Sequence, residues 1–367
     1  MTLKMKIPLI IVIVLAILIG TGFVLTNRNL SQSLVSNFGN AITNNPSPSP
    51  SLHPLAIERM KQDSYPGSDL VIEETLPKGS NYTRYIASYK SEGLKIYGLL
   101  AIPDGEPPAG GFPASSASRS NAGWPAIIFN HGFIPPDVYR PTERYIAYVD
   151  NFARNGFVVF RPDYRGHGDS EGQPSGAYFS PGYTVDVLNA FSSVAKRSDV
   201  NPKRIGMWGH SMGGTILQRS MVINPDIKAG VIWGGVVGTY EDMFKFWWNK
   251  RRSPNPMSLG GMNNQQASRS GRSQFIARYG EAKNSDPFWY SISPANFVKD
   301  ISGPIQLHHG LNDETVPWQL SESMKNILEK EGKEVEYYTY PGGDHDISDP
   351  NFSLAINRSI DFFKKYL

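Results

Sequence analysis

Hydrophobic positions fall into three patterns along the chain. Residues 7–25, IPLIIVIVLAILIGTGFVL, form an unbroken uncharged run. At about 1.5 Å per residue, a helix of this length spans a bilayer core of roughly 30 Å with little tilt. A segment apolar on every side has no polar face to turn to water, so the run predicts a transmembrane helix. Residues 26–63 are polar and without period, and NNPSPSPSLHP at 44–54 favours an extended, semi-rigid spacer. From about Ser64 onward, short apolar runs alternate with amphipathic stretches, which marks a globular domain over residues 64–367.

Within that domain, residues 84–88 and 94–102 alternate in strand fashion around a Ser-Glu-Gly turn and predict a hairpin that opens the sheet. Residues 104–123 are rich in Gly, Pro, Ser and Ala and read as a long surface loop. Short apolar strands follow at 126–129, 157–160, 204–208, 229–233, 305–308 and 335–340. Helical patterns cover 183–197, a segment from about Met212, and the stretches after the last two strands. Strands alternating with helices imply right-handed parallel βαβ units. The predicted fold class is therefore α/β, a mostly parallel central sheet with helices on both faces. Residues 235–294 break the rhythm with FKFWWNKRR at 244–252 and FWY at 288–290, and they are expected to form an inserted lid.

Composition changes this picture only slightly. The chain has 367 residues, 40% hydrophobic and 12% aromatic, enough for one large α/β domain behind an N-terminal extension. A formal charge of +3 gives no reason to expect a nucleic-acid partner. The absence of cysteine excludes disulfides, thiolate catalysis, cysteine metal sites and lipid attachment through cysteine. Lys4 and Lys6 precede the apolar run, so residues 1–6 are expected to stay cytoplasmic and the domain to lie outside. No Ala-x-Ala cleavage pattern follows residues 7–25, which favours an uncleaved signal anchor; the alternative is a cleaved export signal and a secreted protein.

The candidate chemistry lies at strand ends. Gly209-His210-Ser211-Met212-Gly213 follows a predicted strand and opens a helix, the setting a G-x-S-x-G nucleophile elbow requires. Small residues flank Ser211 because the strand-to-helix turn is tight. A serine hydroxyl needs a base to take its proton. Three histidines follow Ser211: His308, His309 and His345. The first two end a strand and read as structural, whereas His345 lies in a loop after the last strand and is the expected base. The acid that orients it is expected between them, in the loop at 309–317. Asp313 is the candidate and Glu314 its rival. Two N–H groups must face the developing oxyanion. Those of Met212, directly after the nucleophile, and Phe133, in the loop after the strand at 126–129, are expected to serve. The loop RPDYRGHGDS at 161–170 carries His and Asp but no evident third ligand, so no metal and no cofactor are predicted. Trp247, Trp248 and Trp289 are candidates for the wall of an apolar acyl pocket, unless they simply pack the insertion onto the core.

Four segments in order carry a resemblance to a known family: GHSMGG at 209–214, DYRGHGDSEG at 163–172, HGLNDETVPW at 309–318 and YPGGDH at 340–345. Over about residues 80–367 the chain resembles the catalytic domain of prolyl oligopeptidase-type serine peptidases. It is similar in equal measure to related single-domain acyl hydrolases. The resemblance implies the α/β-hydrolase fold and, position by position, Ser211, Asp313 and His345 as a catalytic triad. The peptidases carry a β-propeller ahead of this domain, where this chain is expected to have only the apolar segment and spacer. The expectation is a serine hydrolase cleaving a peptide, amide or ester bond through an acyl-enzyme, with a small ester or short peptide as substrate. Carboxylesterase without peptidase activity, acyltransferase and non-catalytic binding protein are the alternatives.

Overall fold

The computed structural model describes residues 52–107, 123–248 and 272–367. The expected transmembrane helix at 7–25, the spacer up to residue 51 and the middle of the expected lid, 249–271, lie outside the described residues. Among the described residues no helix is long and apolar enough to cross a membrane.

Among the described residues, nine strands form one sheet: β1 (Val71–Leu76), β2 (Tyr82–Ser91), β3 (Leu94–Pro103), β4 (Trp124–Asn130), β5 (Val158–Pro162), β6 (Val200–His210), β7 (Gly230–Trp233), β8 (Ile305–Gly310) and β9 (Val335–Tyr340). Their spatial order is β1-β2-β3-β5-β4-β6-β7-β8-β9. The first three strands and their contact with β5 are antiparallel, and every later pair is parallel. The hairpin at β2–β3 turns through Glu92 and Gly93, both at positive φ (49° and 83°), as its twist demands.

Five longer helices cover the sheet: α1 (Ile146–Arg154), α2 (Gly182–Ala195), α3 (Met212–Ile223), α4 (Gln319–Lys330) and α5 (Phe352–Tyr366). Two separate hydrophobic clusters show that they lie on both faces. Val187, Ile216, Leu217, Met324 and Leu328 of α2, α3 and α4 pack on one face with Ile128, Ile205 and Ile232. Val149, Phe152, Ile356, Ile360 and Phe363 of α1 and α5 pack on the other with Ile127, Trp208 and Val231. Because both faces of β4 and β7 are covered, all residues of those strands are buried. Their sequences accordingly read as apolar runs rather than alternations.

Three differences from the sequence expectations have physical reasons. Strand β1 was not anticipated; it is an exposed edge strand, VIEETL, whose burial pattern carries no alternation to read. Helix α1 was not anticipated either, because its entry through Arg144 and Tyr145 at φ 29° and 57° bears none of the usual capping residues. The packed chain also begins before Ser64, since Leu55, Ile57 and Met60 are fully buried.

Register places the site. Asn130 of β4 pairs with Gly209 of β6, His210 with Trp233 of β7, Trp233 with His308 of β8, and Gly310 with Tyr340 of β9. The carboxyl ends of these strands therefore lie side by side. After β4 the chain places β5 on one side and then β6 on the other, so the crevice at the β4/β6 ends is a topological switch point, where α/β sheets bind ligands.

Candidate active site

Ser211 joins β6 to α3 with φ 54° and ψ −118°, a conformation rare for any residue but glycine. Such strain costs about 1–3 kcal/mol and persists only where the surroundings enforce it. Here the Ser211 N–H donates to the Trp233 carbonyl at 3.0 Å, and its own carbonyl accepts from Gly214 and Val236, each at 3.0 Å. The neighbouring glycines are required by contact. A Cβ on Gly209 would fall 2.6 Å from the Gly213 carbonyl oxygen, and one on Gly213 would collide with the Asn130 carbonyl.

Asp313, in the loop after β8, is 2.7 Å through Oδ2 from Nδ1 of His345, in the loop after β9. Glu314, the rival acid, is exposed. The Asp313 carboxylate is fully buried. Its Oδ1 accepts from the Thr315 and Val316 N–H groups, both at 2.8 Å, and its Oδ2 is 3.2 Å from His309 Nε2. Burial pushes the Asp313 carboxyl up, but hydrogen bonds from His309, His345 and Val316 outweigh it and hold the group well below the usual carboxylate range. An ionised Asp313 fixes the proton of His345 on Nδ1 and leaves Nε2 as the acceptor, the tautomer a general base needs.

His309, read from the sequence as structural, thus supports the acid. Its Nε2 faces two acceptors, Asp313 Oδ2 and the Val316 carbonyl at 3.0 Å, so Nε2 bears the hydrogen while Nδ1 takes the Ser321 hydroxyl at 2.7 Å. The spacing of four between His309 and Asp313 was the available signal. His308 is structural, held between Tyr340 Oη at 2.7 Å and Gln306 Oε1 at 2.6 Å.

On the other side of Ser211 runs the loop after β4. A Cβ on Gly132 would come within 3.2 Å of the Ser211 Cβ, so this backbone passes directly over Ser211. The Phe133 N–H meets no acceptor among the described residues, whereas the Gly132 N–H donates to Tyr145 Oη at 3.0 Å. Met212 opens α3, so its N–H has no partner within the helix. Beneath the loop, the imidazole of His131 is stacked between Tyr139 and Tyr164, with ring centroids 4.9 and 4.2 Å away. Burial pushes its pKa well down, so it stays neutral.

The three tryptophans expected at a pocket are 8%, 7% and 1% exposed for Trp247, Trp248 and Trp289. They pack with Leu55, Tyr240, Phe244, Ile292 and Leu320, and the Trp247 and Trp248 rings stack at 5.6 Å. In this arrangement their surfaces are used on one another. A cleft of about 490 Å³ lies elsewhere, between α1 and the loop after His345, lined by Arg144, Tyr145, Tyr148, Asp346, Asp349 and Phe352 among others.

The family model described as serine aminopeptidase, S33, matches residues 126–284, and that of the prolyl oligopeptidase family matches residues 261–367. The chain is similar to the uncharacterized peptidase YtmA of Bacillus subtilis, at 26% identity over 74% of this chain and 90% of the relative. Among solved structures it is similar to acetyl xylan esterase 1 from Thermoanaerobacterium, at TM-score 0.58 and 16% identity, covering 84% of this chain and 90% of that one. It is also similar to dipeptidyl peptidase 4 of Porphyromonas gingivalis, at TM-score 0.56 and 16% identity, covering 78% of this chain and 36% of that one. The chain is an α/β-hydrolase. Within that superfamily it is a serine hydrolase, akin to the prolyl oligopeptidase-like peptidases and esterases.

Proposed function

We propose that Ser211, His345 and Asp313 are the catalytic triad of a hydrolase working through an acyl-enzyme. The observation that carries this reading is the 2.7 Å contact of buried Asp313 with His345, beside a serine held at φ 54° on a nucleophile elbow. Ser211 Oγ attacks the substrate carbonyl and its proton passes to His345 Nε2. The Met212 and Phe133 N–H groups receive the oxyanion. Collapse expels the leaving group, which takes the proton from His345. Water, deprotonated by the same base, then releases the acid and regenerates Ser211.

The preferred substrate class is a short peptide or aminoacyl amide, in keeping with the two peptidase family models and the name of the Bacillus relative. Carboxylic ester hydrolysis is the second reading, favoured by the acetyl xylan esterase, which is matched over 90% of its own length. Incubation of the full-length protein with a fluorophosphonate, then with p-nitrophenyl esters and aminoacyl p-nitroanilides, tests both. Labelling that Ser211→Ala abolishes supports the triad; an inert, folded wild type overturns it. Anilide turnover decides for the peptidase, ester turnover alone for the esterase. We further propose that residues 7–25 hold this domain at the outer face of a membrane; a native N-terminus that mass spectrometry finds beyond residue 25 would refute it.

A further inference from the structure

The nucleophile's neighbour, His210, carries a hydrogen-bond chain that the triad does not explain. His210 is 2% exposed, and burial together with the nearby His345 pushes its pKa down to about 3. Its Nε2 is 3.0 Å from the backbone carbonyl of His345, and its Nδ1 is 2.7 Å from Tyr145 Oη. A carbonyl only accepts, so the hydrogen of the neutral ring is on Nε2 and Nδ1 is bare. Tyr145 must therefore donate to Nδ1. Its oxygen is free to accept, and it receives the Gly132 N–H at 3.0 Å. The chain runs in one direction only: Gly132 N–H to Tyr145, Tyr145 O–H to His210, His210 N–H to the His345 carbonyl.

These links touch three loops of the proposed site. Gly132 precedes Phe133, whose N–H is the expected oxyanion donor. His210 precedes Ser211. The last acceptor belongs to His345 itself. Tyr145 is held for this purpose at φ 57°. The loop before it is pinned by Arg161, which is 1% exposed and donates to the Arg144 carbonyl at 2.6 Å and to the Pro141 carbonyl. Asp346 Oδ1, 3.5 Å from His210 Nε2 and largely exposed, is the one carboxylate near the ring besides Asp313.

We infer that Tyr145 and His210 are positioning residues that lock the oxyanion loop, the nucleophile elbow and the base loop in mutual register. The inference rests on the triad reading above. His345 is then held at two points, its ring by Asp313 and its backbone by His210. A reacting group displaced by about 1 Å can lose about a hundredfold in rate, so the chain acts on turnover more than on substrate binding.

The test uses the full-length protein with p-nitrophenyl acetate, active sites being counted by fluorophosphonate. Tyr145→Phe removes the donor to His210 and the acceptor for Gly132. His210→Leu removes both links of the imidazole, and His210→Gln restores an N–H at about the reach of Nε2. Expected is a fall in kcat of about tenfold or more for Tyr145→Phe and His210→Leu with KM within about threefold. His210→Gln recovers part of the loss, and the double variant Tyr145→Phe/His210→Leu is no slower than the worse single one, because one chain is broken once. Tyr82→Phe, which deletes a buried phenol hydrogen-bonded to Asp150 and outside this chain of bonds, keeps the wild-type kcat. If Tyr145→Phe does not fold, the contrast between His210→Leu and His210→Gln decides. Unchanged kcat per active site, or additive losses, overturns the positioning role while leaving the triad standing. A wild type that does not react with the fluorophosphonate overturns the triad reading first, and the positioning role with it.

Discussion

The polar edge at the ends of β4, β6, β8 and β9 and the aromatic cluster between β7 and β8 are built on opposite principles. At the polar edge, each group is fixed by a few directional contacts: Asp313 alone meets two imidazoles and two backbone N–H groups. In the cluster, Trp247, Trp248 and Trp289 are held by burial against one another and against Tyr240 and Phe244. Directional contacts tolerate no displacement, yet each adds little net stability, about 1 kcal/mol. Burying an indole stabilises far more but is indifferent to small shifts. Rate should therefore be concentrated in the first region and stability in the second.

The largest effect that would break this contrast is at Ser211. Ser211→Ala should lower kcat by about a millionfold while leaving the urea midpoint unchanged or raised, since the strained backbone remains but no side-chain contact is lost. Asp313→Asn should cost about ten-thousandfold in kcat by permitting the wrong tautomer of His345. The same variant has a pH signature. A carboxyl held below its unfolded value stabilises the fold above that value and loses the contribution as pH falls through its folded one. Urea midpoints of wild type and Asp313→Asn should thus differ fully at pH 6, begin to approach one another only below about pH 4, and converge only as pH falls through the depressed folded value. A gap that stays undiminished well below pH 4 would remove Asp313 as an ionised partner.

Trp289→Ala reverses the pattern. It should destabilise by about 3–5 kcal/mol in urea titrations while kcat per active site changes less than about tenfold. A smaller test lies at a bond between the two regions, from Trp247 Nε1 to the Thr315 carbonyl at 2.7 Å. Trp247→Phe should cost about 1 kcal/mol and transmit only a slight loss of rate, as Thr315 flanks the Asp313 loop. Smallest of all, Glu314→Gln should leave kcat within about twofold, because this side chain is exposed.

The two regions also differed in how far they could be read beforehand. The order of strands from residue 82 onward, and of the helices covering the sheet other than α1, was legible because period and turn chemistry are local. Ser211 and His345 were legible because a glycine-flanked serine after a strand and a histidine after the last strand are local signals too. Asp313 was the candidate acid with Glu314 as its rival, since adjacent residues share the same pattern and differ only in which way the loop turns them. The cluster was legible as a list of aromatics, not as an arrangement; an indole wall and an indole core have the same composition.

The sequence by itself therefore determined the fold class, the order of its elements apart from β1 and α1, and the candidate chemistry gathered at one end of the sheet. Tertiary structure alone decided that Asp313 meets His345 and that Tyr145 and His210 bridge the loops. The reason is separation: the partners are 32 positions apart in the first case, Tyr145 and His210 are 65 apart, and His210 and His345 are 135 apart. Contacts across such distances are set by strand register and loop direction, which no local pattern of hydrophobic and polar residues encodes.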